Sequence, residues 1–494
     1  MSTHNFLRVA AASPELRVAD PAYNAVRTLH LLDKAADDGA ELVVFPEMGL
    51  TGYTCHDLFH HPQLIRAAEA ELGDILENCS FQGIAVIGLP VALDGMLFNA
   101  AAVFARGDLL GVVPKSHLPN YKEFYDGRYF HPAAHAVSKQ IELAGRTVPF
   151  GTDLLFACKN LPGFVLGVEI CEDLWVPVPP SSLQAIAGAT VFVNLSASNE
   201  VIGKASYRRE LVANQSGRCL GGYVYASSGP SESTTDLVFG GHCMIAENGG
   251  ILKESKRFVR TGHLTAADLD LDRFARDRIT ATTFANRELT REFRRIPFEI
   301  ELTGKAPLLR FVDPHPFVPK DPGTLRERCE EIFATQVCGL SKRLEHIGKP
   351  PVAIGVSGGL DSTLALLVVA KTFDLLQEPH SKIHALTMPG FGTTERTLGN
   401  ARLLMHALGA TAKEIDIRPL CLQEMQALGH TPFGIPLAGQ TVESFSLGLK
   451  KLTKAQNSDL AFENVQARVR TSLLMNTGFT IGTGDVSELA LGWC

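Results

Sequence analysis

The sequence predicts an α/β protein in two parts, an α/β sandwich followed by a doubly wound parallel sheet. Three observations carry that expectation. Apolar runs of strand length alternate with helix-period segments through the first half of the chain. A charge-rich and then Pro-rich stretch interrupts the pattern between Arg287 and Pro322. Regular alternation of strand and helix resumes at Pro351. At 494 residues the chain exceeds one core at ~100–200 residues per domain. The expected divisions are 1–286, a linker over 287–322, and 323–494.

In the first part, Phe6–Ala11 reads as a strand, Ala22–Asp38 as a helix and Glu41–Phe45 as a buried strand stopped by Pro46. Ile84–Leu89, Ala100–Ala105, Val165–Ile170, Val191–Leu195 and Gly222–Ala226 follow as strands. The acid-rich helix Ala67–Glu77 and the Ser182–Ala187 segment lie between or beside them. Asn99–Ala105 followed by Gly107–Val113 has the form of a hairpin, and the mixture fits a sandwich. The linker holds Arg287, Glu288, Glu292, Arg294 and Arg295, then Pro314, Pro316, Pro319 and Pro322.

Beyond it, a long helix over Gly323–Ile347 leads into the strand Pro351–Val356. Helix Ser362–Thr372, strand Ile383–Thr387, helix Thr394–Leu408 and strand Ala412–Ile417 continue the alternation. Arg418–Lys454 mixes polar and apolar residues without a clear period. A helix over Glu463–Asn476 and a strand over Phe479–Gly482 come last. Cys494 is reached before the further strand and covering helix that a doubly wound domain normally needs, so the second domain reads as cut short.

Composition narrows the function classes. Lys and Arg total 46 against 53 Asp and Glu, a formal net charge of −7. Such a balance gives no electrostatic reason to expect a nucleic-acid or anionic-membrane partner. A phosphate-bearing ligand must therefore be held locally. No run approaches the ~18 apolar residues of a membrane span. Arg8 precedes the apolar Val9–Ala12, but Glu15 and Asp20 follow, unlike a signal or transit peptide; a cytoplasmic location is expected. The 10 cysteines are scattered without a CxxC pair, which suggests neither a disulfide framework nor a zinc site.

Three β-runs in the first part end in reactive residues: Phe45-Pro46-Glu47, Val113-Pro114-Lys115 and Glu169-Ile170-Cys171-Glu172-Asp173. Strand ends are where α/β enzymes place chemistry. A cysteine nucleophile needs a base, an acid for the leaving group, and a cation or N–H donors for the oxyanion. Glu47, Lys115 and Cys171 have the chemistry for those roles, although by residue type alone the Cys reads as core and the Glu and Lys as rim. The runs ELVVFPEMGLTGY (41–53), GVVPKSHLPNYKEFYDGRYF (111–130) and VEICEDLW (168–175) together resemble the signatures of the nitrilase, or carbon–nitrogen hydrolase, superfamily. The resemblance covers roughly residues 6–275 and implies an αββα sandwich with a Glu47, Lys115, Cys171 triad that hydrolyses an amide through a thioester. It also matches Glu123 to a second glutamate beside the triad. Where the family frequently has Glu two residues after Phe124, this chain has Asp126, which is expected to affect a supporting contact.

The string Ser357-Gly358-Gly359-Leu360-Asp361-Ser362 follows a strand and opens a helix. Glycines admit backbone N–H groups to phosphate oxygens, serines add donors, and the helix N-terminus contributes a positive dipole. No Lys follows a glycine, so this is not a Walker A loop. Asp361 is the obvious metal carboxylate. SGGLDS resembles the PP-loop of N-type ATP pyrophosphatases. LTMP (386–389), Thr393-Thr394, Asn400-Ala401, ENVQAR (463–468) and IGTGDVSE (481–488) resemble the NAD synthetase family. That likeness implies an adenine nucleotide alpha hydrolase-like domain. Gly355, Val356, Ser357, Gly358, Gly359, Leu360, Asp361, Ser362 and Thr483 would hold ATP, Asn464 and Glu488 deamido-NAD, and Asp361 and Glu488 Mg²⁺.

The two halves in one chain resemble the architecture of the glutamine-dependent NAD synthetase family. Glutamine, held by Tyr121, Ser198 and Lys204, would then supply ammonia for ATP-dependent amidation of deamido-NAD, with AMP and pyrophosphate released. Lys204 stands where an Arg is often found. Thr477-Gly478-Phe479 is several residues shorter than usual, which should strain the approach to Thr483. Two alternatives are a stand-alone amidase with a non-functional second domain, and a second domain that only binds nucleotide and regulates or assembles the first. A homo-oligomer is expected by resemblance.

Overall fold

Leu7, Val9 and Ala11 alternate with Ala10 and Ala12 along the first strand, and both sets are buried. A strand that is apolar on both faces needs a cover on each side. The computed structural model describes residues 5–285, 291–302, 307–452 and 458–491, in two compact units, Met1–Val312 and Asp313–Cys494.

The first unit runs through β1 (Phe6–Ser13), β2 (Leu42–Val44), β3 (Ile84–Leu93), β4 (Met96–Ala105) and β5 (Asp108–Pro114). Then come β6 (Gln140–Leu143), β7 (Arg146–Pro149), β8 (Leu154–Cys158), β9 (Val165–Ile170) and β10 (Val191–Ser196). Last are β11 (Gly222–Ser227), β12 (Met244–Glu247), β13 (Gly250–Glu254), β14 (His263–Asp270) and β15 (Arg294–Phe298). They build a six-stranded sheet, β14-β1-β2-β3-β4-β5, and a seven-stranded sheet, β13-β12-β11-β10-β9-β8-β15, with β6 and β7 as a separate pair.

Leu7, Val9, Val44 and Val86 of the first sheet share one core with Val168, Ile170, Val193 and Val224 of the second. On its other face the first sheet packs Ala10, Val43 and Ala85 against Leu31 and Leu32 of α1 (Pro21–Asp37) and Leu72 and Ile75 of α2 (Pro62–Asn78). A single helical turn, α3 (Asp126–Tyr129), follows β5. The outer face of the second sheet, with Phe192, Tyr223 and Tyr225, meets Ala185 of α4 (Pro180–Ile186) and Val212 of α5 (Lys204–Arg218). The layering is the αββα sandwich that the family resemblance implies. After β14 comes α6 (Leu271–Thr280).

β15 lies inside the stretch read as linker. It pairs in parallel with β8, Arg294 opposite Leu154 through Phe298 opposite Cys158. Arg294 explains how a charged run joins a sheet: its guanidinium grips Asp153 at 2.6 Å and donates to the Phe150 carbonyl. Arg287, Glu288, Lys454 and Gly492–Cys494 lie outside the described residues.

The second unit is a parallel sheet of β16 (Val352–Gly355), β17 (Ile383–Thr387), β18 (Thr411–Glu414) and β19 (Phe479–Ile481), in the order β18-β17-β16-β19. One face is covered by α7 (Pro322–His346), α8 (Leu360–Leu376) and α9 (Glu395–Ala407) through Leu344, Leu366, Phe373 and Met405. The other is covered by α10 (Arg418–Ala427), α11 (Val442–Leu449) and α12 (Leu460–Met475) through Met425, Phe445 and Phe462. The segment α13 (Val486–Leu491) follows β19. Strand order reverses between β16 and β19, and open α/β sheets form their binding crevice at such a switch, beyond the C-terminal strand ends.

Candidate active site

Glu47 lies beyond β2, past the helix-incompatible Pro46. Gly88 of β3 makes room for that turn: a Cβ there would meet the Met48 nitrogen at 2.5 Å and the Pro46 carbonyl oxygen at 2.6 Å. Lys115 leaves the end of β5, its N–H still bonded to the Asn99 carbonyl of β4. The Lys115 Nζ donates to Glu47 Oε1 at 2.6 Å and to Asp126 Oδ2 at 2.7 Å. Asn99 Nδ2 shares Glu47 Oε1 at 2.6 Å, while Glu47 Oε2 accepts from the Ala197 N–H at 2.9 Å. All four side chains are buried.

Cys171 follows β9 and opens a single turn of tight helix. Its φ of 44° is left-handed, a strained conformation that clusters at functional sites. Asp173 holds the turn, accepting from the Ile170 N–H at 3.0 Å and the His117 N–H at 2.9 Å. It thereby ties the Cys171 turn to the segment after Lys115. The Cys171 N–H donates to Asn194 Oδ1 on β10 at 3.2 Å.

Electrostatics sort the roles. Burial pushes the Cys171 thiol up to about 12, with the Glu47 charge reinforcing and Lys115 opposing. Cys171 therefore rests as a thiol, and a thiol so held would have to surrender a proton in order to attack a carbonyl carbon. Burial also raises the Glu47 carboxyl, against the pull of Lys115 and with help from Asp126, which makes it a better proton acceptor than an exposed glutamate. Burial disfavours the Lys115 charge, but Asp126 and Glu47 outweigh it and hold the ammonium well above its usual range.

Around this centre, Tyr121 Oη donates to Glu172 Oε1 at 2.9 Å. Ser198 is buried, its hydroxyl close to that of the equally buried Tyr225. Lys204 Nζ sits 5.2 Å from the Phe124 ring centroid and 5.5 Å from that of Trp175. Glu123 accepts from Asn199 Nδ2 at 2.7 Å rather than from Lys115. Asp126, noted in the sequence only as a departure, is a direct partner of Lys115, and Tyr53 Oη donates to its other oxygen at 2.5 Å. Sequence reasoning missed Tyr53, Asn99 and Asn199. Asn99 had a visible signal, being the lone polar residue in the apolar run 97–105.

In the second unit, Gly355 and Val356 lead from β16 into a turn closed on itself. Ser362 Oγ accepts from the Ser357 N–H at 3.2 Å, and Ser357 Oγ accepts from the Gly359 N–H at 3.2 Å. Gly358 has φ 81°, and a Cβ on it would lie 2.0 Å from the Thr397 carbonyl oxygen. Leu360 and Asp361 are exposed in the first turn of α8, and Ser362 is buried. Ile354 pairs with Ile481, so Val356 and Thr483 each stand two residues beyond that pair on adjacent parallel strands. Glu488 Oε2 accepts from the Asp485 N–H at 3.1 Å. Asn464 is exposed on α12, whose Gln466 ties down the Phe391 N–H at 3.0 Å in the loop after β17. No group of three or more His, Cys, Asp or Glu forms a metal cluster among the described residues. No described helix is long and apolar enough to cross a membrane.

A cysteine, a buried glutamate and a lysine at the strand ends of an αββα sandwich define a carbon–nitrogen hydrolase fold and site, and the Carbon-nitrogen hydrolase family matches residues 8–278. The NAD synthase family matches residues 332–494. The chain is 44% identical over 502 aligned residues to the glutamine-dependent NAD(+) synthetase of Mycobacterium bovis, covering 99% of this chain and 71% of that protein. It is 43% identical to the Mycobacterium leprae enzyme of the same name, with the same coverage. A crystal structure of a glutamine-dependent NAD(+) synthetase from Cytophaga hutchinsonii aligns over 99% of this chain and 76% of its own, at 20% identity and a TM-score of 0.48. The chain belongs to the glutamine-dependent NAD(+) synthetase family.

Proposed function

We propose that the first unit releases ammonia from glutamine and the second spends ATP to place it on deamido-NAD. The chain is thus an ATP-dependent carbon–nitrogen ligase with glutamine as amido donor. The observation that carries this reading is the buried Glu47–Lys115 pair at 2.6 Å beside Cys171, in a chain whose residues 332–494 match the NAD synthase family.

In the first unit, Cys171 Sγ attacks the side-chain amide carbon of glutamine as its proton passes to Glu47. The Lys115 ammonium stabilises the oxyanion. Glu47 returns the proton to the departing nitrogen, ammonia leaves, and a thioester remains. Water, deprotonated by Glu47, then releases glutamate and restores the thiol. Tyr121, Ser198 and Lys204 hold glutamine, and the buried hydroxyl of Ser198 and the cation of Lys204 suit its α-carboxylate.

In the second unit, the loop Ser357–Ser362 holds ATP, with Gly355, Val356, Leu360 and Thr483 lining its approach. The nicotinate carboxylate of deamido-NAD, bound by Asn464 and Glu488, attacks the α-phosphorus and pyrophosphate leaves. Ammonia then displaces AMP to give NAD⁺. Two exposed or half-exposed carboxylates, Asp361 and Glu488, suit Mg²⁺, which takes one or two protein carboxylates and completes its shell with phosphate and water. Bound there, Mg²⁺ would neutralise phosphate charge. A homo-oligomer is part of the same reading.

The test is NAD⁺ formation by the purified chain with deamido-NAD and Mg-ATP, supplied with either glutamine or saturating ammonium. Cys171→Ala should abolish glutamine hydrolysis and glutamine-fed synthesis while sparing ammonium-fed synthesis. Glutamine hydrolysis by that variant would refute the triad. No synthesis from ammonium, in a folded chain that hydrolyses glutamine, would leave an amidase.

A further inference from the structure

Lys204 is the first residue of α5, and its ammonium stands between the rings of Phe124 and Trp175, at 5.2 and 5.5 Å. Ring faces attract the cation without fixing its donors, so a lysine in this clamp is a point charge on a flexible stem. One neutral group fixes it. Lys204 Nζ donates to Asn199 Oδ1 at 2.6 Å, and the same amide's Nδ2 donates to Glu123 Oε1 at 2.7 Å. Asn199 is itself buried, with its carbonyl oxygen held by Arg208 Nη2 at 3.1 Å. A buried asparagine thus stands between a cation and a carboxylate, bonded to both.

We propose that Asn199 is a positioning residue that sets substrate affinity: it keeps Lys204 from collapsing onto Glu123 and leaves the ammonium free to take the α-carboxylate of glutamine. This rests on the reading that Lys204 holds that carboxylate. Without the amide, the ammonium and Glu123 neutralise one another and the carboxylate loses its anchor. A guanidinium at position 204 would escape the problem, because its five donors can serve Glu123 and a substrate carboxylate together.

Glutamine hydrolysis by the full chain and by Asn199→Ala, together with the rate at which iodoacetamide inactivates each, separates the outcomes. Iodoacetamide carries no carboxylate, so its inactivation of glutamine hydrolysis reports on the Cys171 thiol without engaging Lys204; with the exposed Cys329 and Cys338 of the second unit replaced by Ser in parent and variant alike, their alkylation does not enter the rate. The expected result is a KM for glutamine raised about tenfold or more, with kcat and the inactivation rate within about threefold of the parent. Adding Lys204→Arg should recover most of the lost affinity. A KM unmoved in Asn199→Ala, a kcat or inactivation rate that falls with it, or a double variant no better than the single would overturn the inference alone. Absence of Cys171-dependent glutamine hydrolysis in the parent would overturn the reading of the site and this inference together.

Discussion

Asp126 stands 2.7 Å from the Lys115 ammonium and Glu47 2.6 Å from it, so a single buried lysine is shared by two carboxylates. The arrangement divides one positive charge between a base and a support. Asp126 also raises the proton affinity of Glu47 through space. Asp126→Asn would hand Lys115 to Glu47 alone, lowering the Glu47 pKa. The acid limb of the pH profile for glutamine kcat/KM should move to lower pH, and kcat should fall by about ten- to a hundredfold as the base weakens. An acid limb that moves to higher pH would contradict this account.

Gly88 and Glu47 make a second pair. A methyl group at 88 has backbone at 2.5 and 2.6 Å on the Glu47 turn, and backbone cannot swing aside as a side chain can. Gly88→Ala should displace Glu47 from Lys115 and destabilise the first unit by roughly 1–3 kcal/mol, the usual cost of overpacking. Glutaminase should drop sharply while ammonium-fed synthesis persists. Unchanged glutaminase with an unchanged melting temperature would show that the turn yields more easily than these distances imply.

Gly358 offers the mirror image in the second unit. It combines a left-handed φ of 81° with only 2.0 Å between a would-be Cβ and the Thr397 carbonyl oxygen, so Gly358→Ala pays for both strain and collision. ATP affinity, measured by calorimetry on the full chain, should fall at least about tenfold. Glutamine hydrolysis with no nucleotide present should be untouched. Retained ATP affinity would mean that the serines at 357 and 362 do not shape a phosphate cradle.

The sequence makes β1 to β5 and β9 to β11 legible, because strands buried on both faces read as unbroken apolar runs and Pro marks the ends at Pro46 and Pro114, whereas β8 and β12 to β14 go unread and the strand-end Glu47, Lys115 and Cys171 stand out only through the family resemblance. It hides what depends on long-range pairing. β15 is written as Arg294-Arg295-Ile296-Pro297-Phe298, a run that looks like linker until Arg294 meets Asp153. α5 has a mean polarity that conceals a helix whose buried face includes an arginine, Arg208. Asp126 shows in the sequence only as a departure expected to affect a supporting contact; that its carboxylate bonds Lys115 itself, 11 residues away, depends on how residues 116–125 bring the start of α3 back to the end of β5. Asn199 is likewise defined by what it separates.

Glu169 provides a pH-dependent test of the fold that holds Cys171. It faces away from the nucleophile, where Tyr223 Oη and the Ser181 N–H, at 2.8 Å, donate to its two oxygens. Burial lifts its carboxyl from the usual 4.5 to about 7, against the lowering effect of Tyr223. A carboxyl with a raised folded-state pKa stabilises the fold fully below its unfolded value, and that contribution is lost as pH climbs through the folded value. The window is therefore pH 4.5 to about 7, and the gap corresponds to at most about 3 kcal/mol. Glu169→Gln keeps an acceptor for the Ser181 N–H and a donor for Tyr223 Oη but cannot ionise. Relative to this variant, the parent should be more stable at pH 5 than at pH 8, read as the difference in thermal midpoint of glutaminase inactivation between the two proteins. The same difference at both pH values would show that Glu169 enters the folded chain already ionised.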